Sequence, residues 1–284
     1  MGLPGAIGAY VIPGVEPTLV DPGPATTFQT LVQGLAALGL GPRDLRHVAL
    51  THVHLDHAGA TGDVVRVFPR ATVHIHVDGA PHMSDPTRLV ASTRRTFGED
   101  HDRLWGETRP VPADRIRTWR PGEPGPWKGL RPLPTPGHIG HHLAYLDERD
   151  GTLFSGDSMG IVLADAAPTH TATPPPSVNL RAWVRTLDDI AAVAPERFGP
   201  THFGFHGSVT ARVAQLRERL EALEARVRDA MARGEAEADV GRYDREIRDE
   251  LAPYLAEGEV RRYFDVFKVA NDYAGVRFYL ERNP

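Results

Sequence analysis

Three histidines and an aspartate crowd into six positions in the run Ala49-Leu50-Thr51-His52-Val53-His54-Leu55-Asp56-His57-Ala58-Gly59. The pattern is H-x-H-x-D-H, and it follows an apolar, strand-like stretch. Buried as core, each of these rings would need its own hydrogen-bond partner. On a solvated surface, nothing would select them so densely behind an apolar segment. A bound cation accounts for all four at once. Residues two apart share a face of an extended chain, so His52 and His54 can chelate one ion. Asp56 and His57 come where the chain turns toward a helix and can address a second position. The small Gly59 lets that turn stay close. A single site takes three protein ligands, and a pair of ions about twice that. Whatever fold forms must therefore bring further donors to this run.

Those donors are nitrogen and oxygen, because the chain contains no cysteine. Disulfides, thiolate zinc sites, iron-sulfur clusters and a cysteine nucleophile are excluded with it. With 284 residues, 41% hydrophobic and 24% charged, the chain has the makings of a soluble globular protein with a sizeable core. Its formal net charge of -5 offers no bulk attraction to nucleic acid or to an anionic membrane. The opening Met1-Gly2-Leu3-Pro4-Gly5-Ala6 lacks the pattern of a secretory signal, and no apolar run approaches membrane-spanning length. A cytoplasmic protein acting on a small molecule is the expectation.

Apolar spacing predicts short strands at residues 9–12 and 18–20 and a helix over 25–38, stopped by Gly39, Gly41 and Pro42. A strand at 47–50 delivers the histidine run. A short helix over 58–67 and a strand at 72–77 follow. Strand, helix and strand in alternation point to a layered α/β sheet. Residues 78–128 read as a long irregular connection rich in Pro, Gly and Arg, of the kind that often covers a binding site. Arg94, Arg95 and Arg103 within it read as a solvated helix face. Strands resume at 130–133 and 142–146, the latter joined through Asp150-Gly151 to a strand at 152–154 as a hairpin. A helix over 178–194 and a last strand at 197–202 complete the pattern. From Ser208 the character changes. Val213, Leu216, Leu220, Leu223 and Val227 form an amphipathic stripe. Residues 208–284 therefore read as a C-terminal helical domain following a catalytic domain at 1–207. The stripe packs on the body of the protein or on a second copy, so a homodimer through these helices stays open. The helical region is expected to bear on association or substrate affinity more than on metal content.

Three more candidate donors stand beside predicted strands: His138 in Thr135-Pro136-Gly137-His138, Asp157 in Ser155-Gly156-Asp157, and His202 in Thr201-His202. His206 is an alternative to His202. His141 and His142 read as structural, and His74 and His76 as satisfied within a strand. His82, His101 and His170 fall in loops, where substrate contacts are often made.

H-x-H-x-D-H, then T-P-G-H, then S-G-D, then a late T-H, in that order, resembles the metallo-β-lactamase-fold hydrolases, above all their glyoxalase-II-like branch. The likeness covers residues 9 to 207, and Asp21 in Val20-Asp21-Pro22-Gly23 also fits it. It implies a four-layer αβ/βα sandwich of two mixed β-sheets flanked by helices, here with a C-terminal helical extension. It also implies two divalent metal ions, zinc first, with iron or manganese tolerated. By this resemblance His52, His54 and His138 hold one ion, Asp56, His57 and His202 hold the other, and Asp157 bridges both. A hydroxide shared by the ions is the implied nucleophile, with Asp56 and Asp157 as the catalytic carboxylates. Histidine at 54, where the redox di-iron branch carries glutamate, argues against electron transfer. Asp157 as bridging group argues against a true antibiotic-degrading lactamase. The leading expectation is a hydrolase of a small ester, thioester or lactone. A phosphodiesterase or nuclease, and a metal-binding module without turnover, are the alternatives.

Overall fold

The computed structural model of the chain describes residues 2–123 and 129–283. In chain order its elements are β1 (Tyr10–Ile12), β2 (Thr18–Val20), α1 (Phe28–Ala37), β3 (His47–Ala49), α2 (Leu55–Ala58), α3 (Thr61–Val67), β4 (Thr72–His76), α4 (Ala80–Ser84), α5 (Thr87–Phe97), α6 (Asp100–Trp105), β5 (Ile116–Trp119), β6 (Leu130–Pro134) and β7 (Leu143–Asp147). There follow β8 (Thr152–Gly156), α7 (Leu180–Val193), β9 (Arg197–Pro200), α8 (Val209–Ala232), α9 (Ala236–Leu251), α10 (Val260–Val266) and α11 (Val269–Arg282). The strands fall into two mixed sheets, ordered β1-β2-β3-β4-β5 and β6-β7-β8-β9. With flanking helices and a C-terminal helical region, this is the expected fold class.

The chain divides into two compact units. The N-terminal unit comprises Ile7–Pro134 and Leu143–Arg149. In it β1 pairs antiparallel with β2, while β2, β3, β4 and β5 run parallel. Such strands are buried on both faces and read as near-continuous apolar runs. Accordingly, Leu19, Val48, Ala49, Val73 and Ile75 are all fully buried. Parallel pairing aligns the carboxyl ends of β2 and β3, so Asp21 and the segment entering the histidine run emerge side by side.

Residues 78–123 differ from the irregular connection expected. They form α4, α5, α6 and β5. Only Leu89 of α5 is buried; Leu89, Val90 and Phe97 do recur at helical spacing, but among three arginines and between Pro86 and Gly98 they are easily read as a connection. The arginines do lie on a solvated face, Arg94 against Asp102 at 2.6 Å and Arg103 against Asp100 at 2.8 Å. Lys128, the far end of that stretch, lies outside the described residues.

The C-terminal unit comprises the residues up to Ala6, Thr135–His142 and the chain from Asp150 onward. Its strands β8 and β9 run parallel. Helix α7 starts on Asn179, whose side chain accepts the Ala182 N–H, and buries Leu180, Trp183, Leu187 and Ile190 at helical spacing. The stripe of α8 (Val213, Leu216, Leu220, Leu223, Val227) is buried within the chain itself, where α8 meets α7, α9 and α11. Residues 208–283 fall in the same compact unit as β8 and β9. Among the described residues no helix is long and apolar enough to cross a membrane.

Candidate metal centre

Strand β3 ends at Ala49, three residues before His52, so the histidine run lies in the loop between β3 and α2. His54 caps α2 in extended geometry (φ -57°, ψ 148°), and its carbonyl accepts the N–H groups of His57 and Ala58 at 3.1 and 2.8 Å. That turn gathers the rings. The centroids of His52 and His54 are 4.5 Å apart, and those of His52 and His57 4.1 Å. His52 and His57 are fully buried, while His54 and Asp56 are half-buried. Gly59 is required for a reason other than turn geometry. A side chain there would strike the Leu55 carbonyl and come within 3.2 Å of Pro24 Cα. The turn at Gly23 is stitched to α2 through Gly23 N–H to His57 O (2.9 Å) and Ala60 N–H to Gly23 O (2.8 Å).

Asp21 organises this half of the donor set. It holds a left-handed backbone (φ 47°), which aspartate tolerates better than most residues, and is almost completely buried. Its carboxylate accepts the Thr51 N–H (2.8 Å), the Thr51 hydroxyl (2.7 Å) and the His57 Nδ1–H (2.8 Å). Because the Thr51 hydroxyl donates to Asp21, its oxygen is left to accept the His52 Nδ1–H at 3.1 Å. Both rings are thereby fixed as Nδ1–H tautomers, with Nε2 as the donor to a cation.

In the C-terminal unit the donors are held by backbone. His138 Nδ1–H donates to the Ala172 carbonyl and His202 Nδ1–H to the Ala6 carbonyl, both at 2.6 Å. Asp157, at the end of β8, has Oδ2 3.2 Å from His138 Nε2 and Oδ1 3.5 Å from His202 Nε2. One carboxylate thus faces two imidazoles, one oxygen to each. The Asp157 N–H donates to His142 Nε2 (3.1 Å), and His142 Nδ1–H donates to the Thr135 hydroxyl (2.7 Å). His142 is thus structural, as its position after His138 suggests. His206 turns to Asp165 (3.1 Å) and pairs its backbone with Phe198, so His202 and not His206 stands beside Asp157. The ring of Phe267, which follows α10, packs edge-on against His202 at 4.9 Å.

Several of the remaining histidines have partners outside the donor set. His47 Nδ1 and His74 Nε2 lie 3.0 Å apart. Burial, followed by the neighbouring His47 and Arg117, pushes His74 from its ordinary 6.5 down to about 3. Burial also lowers His76, whose Nδ1 accepts the Asp78 N–H at 3.2 Å. His101 is buried in α6 beside Thr93 and Asp102. His170 is buried against Asp272. His82 sits on α4.

Every candidate donor is an imidazole or a carboxylate, and four of the five rings have Nδ1 committed to a named acceptor. The set fits a divalent cation of intermediate hardness. The tethers themselves escape sequence reading where they are carbonyls. Ala6 and Ala172 carry no side-chain signature of the role.

Residues 4–202 match the metallo-beta-lactamase superfamily. The chain belongs to that superfamily, and its fold is the superfamily's hydrolase fold. An uncharacterized protein, YobT, of Bacillus subtilis (strain 168) is 27% identical over 205 residues, 70% of this chain and 84% of that protein. Thioesterase pkgB of Emericella nidulans is 30% identical over 132 residues, 45% of this chain but only 29% of the thioesterase. Among solved structures, the metallo-beta-lactamase family protein TTHA1429 from Thermus thermophilus aligns with a TM-score of 0.65 at 22% identity, covering 98% of this chain and 89% of its own. TTHA1623 in a di-iron-bound form aligns with a TM-score of 0.56 at 24% identity, covering 74% and 94%.

Proposed function

We propose that this protein is a binuclear metal-dependent hydrolase acting on a small ester, thioester or lactone, of the glyoxalase-II-like type. His52, His54 and His138 hold one divalent cation, Asp56, His57 and His202 hold a second, and Asp157 serves both. The observation that carries this reading is the division of the Asp157 carboxylate between His138 and His202, 3.2 Å to one and 3.5 Å to the other. Zinc is the first choice for imidazole and carboxylate ligands; the di-iron form of TTHA1623 keeps iron in view.

When bound, such a pair of cations lowers the pKa of a water toward neutrality and polarises the carbonyl under attack. The chain's own part is to orient. Asp21 and Thr51 hold His57 and His52 as Nδ1–H tautomers, and the Ala172 and Ala6 carbonyls do the same for His138 and His202. Asp56, half-buried, accepts a hydrogen bond from the attacking water and aims it. The acyl preference is supported by the similarity to thioesterase pkgB. The net charge of -5 also disfavours a polyanionic substrate.

Metal analysis of the purified protein should return about two ions per chain. A count near zero after zinc, iron or manganese supplementation removes the hydrolase reading. A panel of thioesters, lactones and bis-phosphodiesters then sorts the chemistry, and turnover confined to phosphodiesters would overturn the acyl assignment.

A further inference from the structure

Residues 165–173 supply the carbonyl that tethers His138 yet contribute none of the seven donors. They are gripped from the C-terminal helices. We propose that Asp272, on α11, is a positioning residue for the metal centre. It fixes residues 170–173 and, through the Ala172 carbonyl, the ring of His138. This rests on the reading of His138 as a metal ligand.

The geometry is a clamp. Asp272 Oδ1 accepts the Thr173 N–H at 2.6 Å and the Thr173 hydroxyl at 3.2 Å, while Oδ2 accepts the His170 Nε2–H at 3.0 Å. One carboxylate thus holds both ends of a four-residue segment, and the carbonyl that receives His138 Nδ1–H lies between them. Thr173 is fully buried, and Asp272 is 7% exposed. A buried carboxylate is expensive unless well paired. Two charge-assisted bonds to one segment, with the Thr173 hydroxyl shared between Oδ1 and the Asp272 carbonyl (3.1 Å), make it a stiff tie.

Two further contacts reinforce it. Gly275, one turn along α11 from Asp272, lies so close that any side chain would strike the Thr173 carbonyl. On the other flank, Arg212 and Gln215 of α8 hold the preceding residues. Arg212 donates to the carbonyls of Ala167 (2.7 Å) and Asp165 (2.6 Å), and Gln215 Oε1 accepts the Thr169 N–H (2.8 Å). On this proposal the helical region supports a ligand through the backbone it holds. Loosening the clamp frees the Ala172 carbonyl to move, and the His138 ring loses its fixed tautomer and direction. Partners of this kind typically contribute about 10- to 100-fold in metal affinity.

The test uses the full chain and zinc alone, titrated against a chromogenic chelator. Wild type should bind about two ions, and His138→Ala should lose one. Asp272→Ala should weaken one ion at least about tenfold and leave the other near its wild-type value. Asp272→Asn keeps an oxygen for the Thr173 N–H but loses the charge, and should fall between, about threefold weaker. The His138 Nδ1–H proton, observed by NMR, should be protected from solvent exchange in wild type and exposed in Asp272→Ala. Should Asp272→Ala fail to fold, Asp272→Asn carries both measurements. A folded Asp272 variant with wild-type affinity for both ions and a protected His138 proton overturns the inference while leaving the metal reading intact. A wild type that binds no zinc, iron or manganese overturns both.

Discussion

The two compact units hold their donors by different means. In the N-terminal unit four donors fall within six positions, and two of their rings are set by side chains, Asp21 and Thr51. In the C-terminal unit three donors are scattered over 64 positions, from His138 to His202, and both rings are set by carbonyls of Ala172 and Ala6. A side-chain tether is local chemistry written in the sequence. A carbonyl tether is only as good as the placement of the backbone that carries it. The N-terminal half should therefore be brittle to substitution at its tethers. The C-terminal half should be indifferent to the tethering residue and sensitive to whatever holds that residue's backbone.

The largest effect should come from Asp157, which faces both rings of the scattered set. Asp157→Ala is expected to lower kcat/KM by about a thousandfold or more and to release at least one ion, read by thioester turnover and metal analysis. Wild-type turnover in that variant would remove the ligand assignment. Next, Asp21→Ala should cost about 10- to 100-fold in metal affinity by chelator competition. It should also lower stability, because three buried donors lose their acceptor at about 1–3 kcal/mol each. The matching change in the other unit, Ala172→Gly, keeps the carbonyl and should leave metal affinity within about twofold, with a stability loss near 1 kcal/mol. Equal losses from Asp21→Ala and Ala172→Gly would erase the contrast between the two kinds of tether.

Smaller still is a pH effect confined to the N-terminal unit. His74 titrates at 6.5 when unfolded and is pushed down to about 3 when folded. The unfolded chain thus binds the extra proton first. The contribution is fully present above pH 6.5 and is lost as pH falls toward 3. Replacing His74 with glutamine should flatten the Tm profile across that window; an unchanged slope would show that other groups govern acid sensitivity. Smallest of all, Arg94→Ala, on the exposed pair with Asp102, should leave Tm, metal content and turnover where they are.

Legibility in the sequence follows the same line. Strands such as β2, β3 and β4 are short apolar runs between turn residues, and their placement was readable to within a residue or two. The stripe of α8 was equally plain, since 3.6-residue periodicity survives in a helix buried along one side. Helix α5 was not, because its short apolar set (Leu89, Val90, Phe97) at helical spacing is interleaved with Arg88, Arg94 and Arg95 inside a Pro- and Gly-rich stretch. The dense donor run announced itself, whereas Asp21 was marked only by the family resemblance and its tethering role is visible only in the fold. Asp272 did not. It is one carboxylate among the charges of an amphipathic tail, and its role depends on Thr173 lying beside it after 99 intervening steps of chain. Nothing local marks such a meeting.

Every amino acid owns a peptide oxygen, so positions 6 and 172 need no particular functional group to grip an imidazole, only a side chain small enough for a buried place. Selection at this end of the molecule would then bear on sites that look unremarkable, above all Gly275, where only hydrogen leaves room for the neighbouring backbone. Either buried alanine could give way to another small residue without losing its carbonyl, whereas one added methyl group on the last helix would be felt at an imidazole 137 residues earlier in the chain.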